Sequence, residues 1–152
     1  MAITQAIANS FKKELLEGEH NFKSSGGDKF KIALYTSSAT LNSTTTAYAT
    51  NPGGGANTEV ANTGQYTAGG GLLVNNGTSI TAGVARVDFA DRSFTGVTLT
   101  ARGALIYNTS ATATNAAVAA LDFGGDKTAT AGVFTIQFPA ATSTAAILRI
   151  SG

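Results

Sequence analysis

The single histidine, His20, is the side chain best suited to proton transfer or metal binding in this chain. It follows Gly18 and lies between Glu19 and Asn21. An imidazole can act as a general base or a zinc ligand, and Glu17 and Glu19 could supply carboxylates beside it. A metal site needs converging geometry that a turn does not guarantee, and the chain has no second histidine. We therefore expect a structural or solvated His20.

Paired carboxylates are the other combination with catalytic potential, because glycoside cleavage uses two acids that flank the scissile bond. The acids that could form such a pair are Glu59, Asp88, Asp91, Asp122 and Asp126. Asp88 and Asp91 flank an expected strand end and turn, where Asp commonly hydrogen-bonds the backbone. The spacing of Asp122 and Asp126 is not that of a calcium loop. We expect these acids to be structural.

Other motifs that carry chemistry are missing or isolated. There is no cysteine, and no Gly-x-Ser-x-Gly elbow accompanies a base. The glycine runs 53–55 and 69–71 are not followed by the Lys-Ser/Thr of a phosphate loop, and the Asp-Phe-Gly tripeptide at 122–124 lacks the other kinase motifs. The sequence thus predicts no catalytic, cofactor-binding or metal-binding residue and no enzymatic activity.

Charge and hydropathy argue against two classes of partner. The net charge is +1, and no basic stripe interleaves with aromatic residues, so nucleic-acid binding has little support. The first residues lack the pattern of a signal peptide, and no apolar run approaches the ~18 residues of a membrane span.

An amphipathic helix is predicted over residues 4–17. Ile3, Ile7, Phe11 and Leu15 recur every four residues, with Leu16 beside them, and Gly18 is a natural stop. Residues 1–22 would then form an N-terminal helical arm, which could pack on its own sheet or dock on a neighbouring subunit.

The rest of the chain has the alternating pattern of β-strands, interrupted by one long loop. Strands are predicted at 30–36, 72–74, 79–82, 84–89, 94–100, 103–107, 117–123, 133–138 and 145–150, with a hairpin turn at Asn76-Gly77 and another turn at 124–127. Residues 38–70 read as a long partner-contacting loop, or as a floppy surface loop, with a possible short strand near 58–62.

About eight short strands without intervening helices indicate an all-β fold. We predict one domain over residues 1–152, an antiparallel β-sandwich of the jelly-roll or immunoglobulin-like kind with a short N-terminal amphipathic helix. The composition is rich in small residues, with 27 Ala, 23 Thr and 18 Gly, and only 12% of residues are charged. Such a surface suits contact with copies of itself or with a partner, although a Thr-rich secreted domain would look similar.

Several stretches resemble a family of small virion structural proteins of tailed bacteriophages. They are residues 11–22 and 30–41 near the start, 59–70 in the loop, 98–108 with its Ala-Arg-Gly-Ala-Leu-Ile-Tyr-Asn, and 119–150 with its Leu-Asp-Phe-Gly-Gly-Asp-Lys. The resemblance spans nearly the whole chain in order, whereas the Gly-rich insert at 52–57 looks longer than the usual pattern.

This resemblance implies a non-enzymatic part of a phage particle, made in the bacterial host cytoplasm. The leading hypothesis is a capsid cement or decoration protein on the capsid surface, with the major capsid protein as partner and a homotrimer as its own assembly. A tail, collar or fibre component is the second hypothesis. A carbohydrate-binding β-sandwich is the third, although Trp is absent and the four tyrosines are dispersed along the chain.

Overall fold

The structure, a computed structural model, describes residues 2–152. Within this range the chain forms eight strands and one helix. In chain order they are β1 (Ala6–Ile7), α1 (Asn9–Leu16), β2 (Phe30–Tyr35), β3 (Gly71–Leu72), β4 (Asn75–Thr81), β5 (Val84–Phe89), β6 (Arg92–Asn108), β7 (Ala116–Ile136) and β8 (Leu148–Ile150). No helix in this part of the chain is long and apolar enough to cross a lipid bilayer.

Two antiparallel sheets make up the fold. The larger has the strand order β1-β7-β6-β2-β3 and the smaller the order β4-β5-β8. The predicted all-β class, with two antiparallel sheets and a short N-terminal helix in a sandwich-like arrangement, is confirmed. The core includes a chain of aromatic contacts in which Phe22 stacks on Phe30 with ring centroids 4.5 Å apart, and both rings meet the edge of Phe89.

The hairpin of β6 and β7 is much longer than the sequence indicates. The predicted strands at 94–100 and 103–107 are one strand of 17 residues, and β7 runs for 21 residues. The predicted turn at 124–127 is wrong, because this segment is an irregularity inside β7. Ala101 pairs with Lys127 whereas Gly103 already pairs with Asp122, so the extra residues bulge out and pairing resumes beyond them.

The predicted hairpin turn at Asn76-Gly77 is also wrong. Both residues lie inside β4, where a register irregularity between Asn75 and Gly77 uses the positive φ of Gly77 (98°). The turn that joins β4 to β5 is instead Ala82-Gly83, with φ values of 51° and 75°. Two successive positive φ angles are the mark of a type I′ turn, the form that suits the twist of a hairpin.

Ala82 is a strained choice for this turn, and its replacement tests the assignment. We expect Ala82→Asn to raise the free energy of unfolding by about 0.5–1 kcal/mol, because Asn tolerates the left-handed conformation better than Ala does. Chemical denaturation measures the change. Ala61→Asn, at an exposed loop position without a positive φ, is the matched control and should change little. Equal effects at the two positions would contradict the turn assignment.

The helix predicted over residues 4–17 is shorter than expected, because α1 begins only at Asn9. Ahead of it, Ala6 and Ile7 pair with Ala120 and Ala119 of β7, so their backbone groups join the sheet. Phe11 is the buried residue of α1, and Gly18 takes a left-handed φ of 78° after it, as the pattern predicts. Contrary to expectation, Leu16 does not share the buried face and is 91% exposed.

The segment between β2 and β3 pairs with other parts of the chain only through isolated β-bridges, and none of them extends into a strand. The short strand predicted near 58–62 reduces to one antiparallel bridge between Glu59 and Tyr35. Beside it, the Val60 amide donates to the Leu34 carbonyl, so this stretch lies along β2. The segment also buries Leu41 and Tyr66 in the core. Much of the long loop is therefore built into the domain.

Candidate functional site

His20 lies in a closed cluster behind α1. Its side chain has no exposed surface, and its Nε2 lies 2.8 Å from a carboxylate oxygen of Glu14. On the other side, Nδ1 lies 2.9 Å from the amide nitrogen of Asn108, and the ring packs on Phe11 at 4.7 Å. Glu17 takes no part, since it pairs with Lys13 at 2.6 Å. Both ring nitrogens are thus engaged within the chain.

The hydrogen bonds of Asn108 settle which nitrogen of His20 carries the proton. The side-chain oxygen of Asn108 accepts from the backbone amides of Ser110 and Ala111, so its NH₂ group faces His20 and Asp28. That group donates to Nδ1 of His20, which must then be unprotonated, and Nε2–H donates to Glu14. A base held in this way has no free lone pair for a substrate proton.

The later acids do not come together as a catalytic pair. Asp88 accepts from the Asn76 side chain, Asp91 from the Phe138 amide, and Asp122 from Arg102 and Gly124. Each of these acids thus has a hydrogen-bond partner within the chain, and for Asp122 the backbone amide of Gly124 and then Arg102 lower its pKa from the usual value. Within residues 2–152 no group of three or more acidic, histidine or cysteine side chains could hold a metal ion.

Glu59, the one buried acid among residues 2–152, is the centre of a network that the sequence did not reveal. One carboxylate oxygen accepts from the Tyr66 hydroxyl at 2.9 Å and from the Gly69 amide at 2.6 Å. The other accepts from the Tyr48 hydroxyl at 2.7 Å. Glu59 is only 8% exposed, and burial of an unpaired carboxylate is unfavourable. The three hydrogen bonds that it accepts offset this desolvation.

The two remaining tyrosines extend this network to the backbone. The Tyr107 hydroxyl donates to the Gly69 carbonyl at 2.5 Å, and its ring stacks on Tyr48 with centroids 4.8 Å apart. The Tyr35 hydroxyl donates to the Ala49 carbonyl at 2.7 Å. All four tyrosines of the chain thus tie the long loop to β2 and β6, and we call this set with Glu59 the tyrosine network.

The tyrosine network leaves no aromatic platform for a sugar ring. Tyr35 and Tyr66 are fully buried, Tyr107 is 3% exposed, and Tyr48 is half-buried against Tyr107. The sequence does not indicate that these four tyrosines converge, because they are spread over positions 35 to 107 and no local period links them. The carbohydrate-binding hypothesis therefore loses the side chains on which it depended.

Burial raises the pKa of every hydroxyl in the tyrosine network. Desolvation is the largest cause for all four, and the nearby Glu59 carboxylate raises each pKa further, because a second negative charge beside it is unfavourable. For Tyr107 the pKa rises to about 12, and it rises in the same direction for Tyr35, Tyr48 and Tyr66. The folded state therefore favours the neutral phenols.

Alkaline pH should unfold the protein through these residues. The stability that neutral tyrosines contribute is complete below the unfolded pKa of about 10, and is lost as pH rises above it and through the folded pKa values. Urea midpoints measured at increasing pH should fall in this range, and Tyr107→Phe should have a shallower fall because one titrating group is gone. A urea midpoint that stays constant well above pH 10 would contradict this. Tyrosinate absorbance that appears in the folded protein near the unfolded pKa of about 10 would contradict it as well.

Comparisons with protein-family models, with curated proteins and with solved structures found no match to this chain.

Six large apolar side chains are exposed in the part of the chain that the structure describes. They are Leu16 (91%), Ile80 (72%), Val74 (64%), Ile150 (60%), Val133 (59%) and Leu72 (47%). Leu16 and Ile150 line the same open groove of about 560 Å³ between α1 and the strands β5 and β8. Most of the residues that line this groove are apolar, as is usual for binding sites, and no acid or histidine is among them.

Proposed function

We propose that this chain is a non-enzymatic structural protein of a tailed-phage virion, a capsid cement protein that binds the assembled head and bridges coat subunits. The observation that carries the proposal is the largely apolar groove that the exposed Leu16 and Ile150 line, on a chain with 12% charged residues. Exposed apolar side chains that share one surface mark interaction sites in proteins that must otherwise stay soluble.

The polar side chains that could do chemistry are hydrogen-bonded within the chain, which supports the same proposal. His20 and Glu59 are buried and hydrogen-bonded within the chain, and Asp88, Asp91 and Asp122 accept hydrogen bonds from other residues of the chain. These groups stabilise the fold, and the surface presents mainly small, uncharged and apolar side chains. The resemblance of the sequence to small phage virion proteins is the basis on which we propose the major capsid protein as the partner.

A homotrimer would make such binding durable. Each contact with the coat can be weak, but three linked contacts raise the effective concentration and slow dissociation. Cyclic symmetry closes the assembly so that it does not grow into a filament. Light scattering on the purified protein should give three times the 15.3 kDa chain mass. A monomer at every concentration would contradict the trimer while leaving head binding to be judged separately.

The experiment that tests the function is a map of the intact virion by electron cryo-microscopy. We expect this chain on the outer head lattice, repeated at equivalent positions between coat subunits. Density confined to the tail or collar would overturn the cement function in favour of a tail component. Particles that lack this chain should also release DNA at lower temperature than the complete particles, and equal heat resistance would contradict a cementing role.

A further inference from the structure

The groove between α1 and the smaller sheet combines an apolar floor with an excess of positive charge. Its floor includes the buried side chains of Phe11, Phe22, Val87 and Leu148, together with the half-buried Leu15. Lys12, Arg86 and Arg149 are the charged residues among those that line it, with no acidic residue. Because successive residues of a strand alternate between its faces, the side chains of Arg86 and Arg149 lie on the face opposite to Val87 and Leu148. We call this the cationic groove.

The three cations of the cationic groove lack acidic partners within residues 2–152. Lys12 contacts the Asn9 side chain at 3.3 Å, Arg149 donates to the Ser143 carbonyl, and Arg86 donates to the Thr81 hydroxyl. None of them is in an ion pair, because the salt bridges of this part of the chain involve other cations. The positive charge of the groove is therefore unbalanced.

The two arginines make this imbalance costly. Arg86 and Arg149 are direct cross-strand partners in β5 and β8, an arrangement in which like charges repel. The Nε and Nη1 atoms of Arg86 are also buried without a hydrogen-bond partner. A nearby anion would relieve the repulsion and offset the poor solvation of the Arg86 guanidinium.

The edge of the smaller sheet indicates what kind of anion fits. β8 pairs with β5 alone among the described strands and ends the order β4-β5-β8, so its outer backbone groups have no strand partner. An extended polypeptide can add to such an edge through main-chain hydrogen bonds, which a lipid or a free anion cannot do. Exposed Leu16 and Ile150 lie in the same groove and offer apolar contact to alternate side chains.

We infer that the cationic groove is the docking site for an extended segment of the coat protein that carries aliphatic side chains alternating with carboxylates. Because side chains of a strand added beside β8 alternate between the two faces, its aliphatic side chains would cover the apolar floor and its carboxylates would neutralise Arg86 and Arg149 on the other face, with Lys12 adding to the attraction. This inference rests on the proposed function for the identity of the partner. The complementary charges would also set the register of the docked segment and speed its association at low salt.

Charge reversal at the two exposed cations tests the inference without disturbing the core. Purified wild-type chain is added to phage particles that lack it, and the bound fraction is measured after sedimentation over a range of concentrations and salt. We expect Lys12→Glu with Arg149→Glu to weaken binding roughly tenfold or more, and to remove most of the salt dependence. Lys29→Glu with Lys127→Glu, at exposed positions outside the groove, is the control and should bind like the wild type.

The outcomes distinguish an error in the docking site from an error in the proposed cement function. If wild type binds the particles and the groove variant binds as tightly, the docking site is wrong and the cement function stands. If wild type does not bind at all, the cement function fails and the inference fails with it. Both variants should have the wild-type circular dichroism spectrum. In a map of the complex, coat-protein density along β8 is expected, whereas a second copy of this chain or an isolated amphiphile in the groove would overturn the inference.

Discussion

Replacing Glu59 by Ala is expected to lower the free energy of unfolding by about 3 kcal/mol, a large share of the stability of a domain this size. The change removes the acceptor for three donors, the Tyr48 and Tyr66 hydroxyls and the Gly69 amide. The Gly69 amide is buried and would have no other acceptor, whereas the Tyr66 hydroxyl still has the Leu34 backbone beside it. Chemical denaturation measures the loss.

Glu59→Gln separates the carboxylate charge from the hydrogen bonds and the volume of the side chain. Its amide oxygen can accept from Tyr66 and Gly69, and its NH₂ group can donate to the Tyr48 oxygen, because a hydroxyl can reverse its role. We expect this variant to lose less than about 1.5 kcal/mol. If Gln is as destabilising as Ala, then the carboxylate charge, and not the set of hydrogen bonds, holds the tyrosine network together.

Gly70→Ala is the second substitution with a large expected effect. Gly70 has a φ of 80°, and a Cβ atom there would lie 1.8 Å from the Ile32 carbonyl oxygen and 2.8 Å from the Ala33 Cα. These are backbone atoms of β2, so the neighbour cannot turn away as a flexible side chain would. The left-handed conformation costs Ala about 1 kcal/mol, and displacement of the strand adds about 1–3 kcal/mol.

Gly54→Ala is the matched control for Gly70→Ala. Gly54 has nearly the same φ, 81°, but a Cβ atom there meets nothing within 4 Å. It should lose only the conformational cost of about 1 kcal/mol. Denaturation of the two variants side by side isolates the contact with β2. Equal losses would mean that the loop does not lie as closely against β2 as the structure has it.

Strands with a large apolar residue at every second position were predictable from the sequence. β5 has the predicted bounds, and β2 differs from its prediction by one residue at its end. Phe30, Ile32 and Leu34 in β2, and Val87 and Phe89 in β5, follow this local pattern and are buried, although Ala33 and Tyr35 on the other face of β2 are buried as well. The end of α1 was predictable for the same reason, because the left-handed conformation that follows the helix depends only on the glycine at position 18.

The failures come from segments whose structure depends on distant partners. Asn76-Gly77 has the preferred turn sequence, but pairing of β4 with Phe89 and Asp88 on either side of the irregularity extends the strand through it. Ile3 and Ile7 fit a helical period, but their backbone lies beside Leu41 and β7. Local propensity is weak compared with the hydrogen bonds and burial that such long-range pairing supplies.

The tyrosine network could not be predicted for the same reason. Glu59 appears in the sequence as one acid among nine, and its donors come from positions 48, 66 and 69. Only the fold of the long loop onto β2 brings these groups together. The predictions that concern function, from the homotrimer to the capsid surface, stay predictions until the virion is examined.

The pairing of β1 with the middle of β7 has a consequence for how the protein is made. Ala6 cannot reach its partner until Ala120 has left the ribosome, so the first strand stays unpaired through most of translation. Contacts between residues so far apart in sequence raise the contact order, which slows folding in all-β domains. During that interval the apolar residues of the N-terminal segment are open to chaperones. A circular permutant that places β1 behind β8 would shorten the sequence separation between β1 and β7, and this lower contact order should speed refolding.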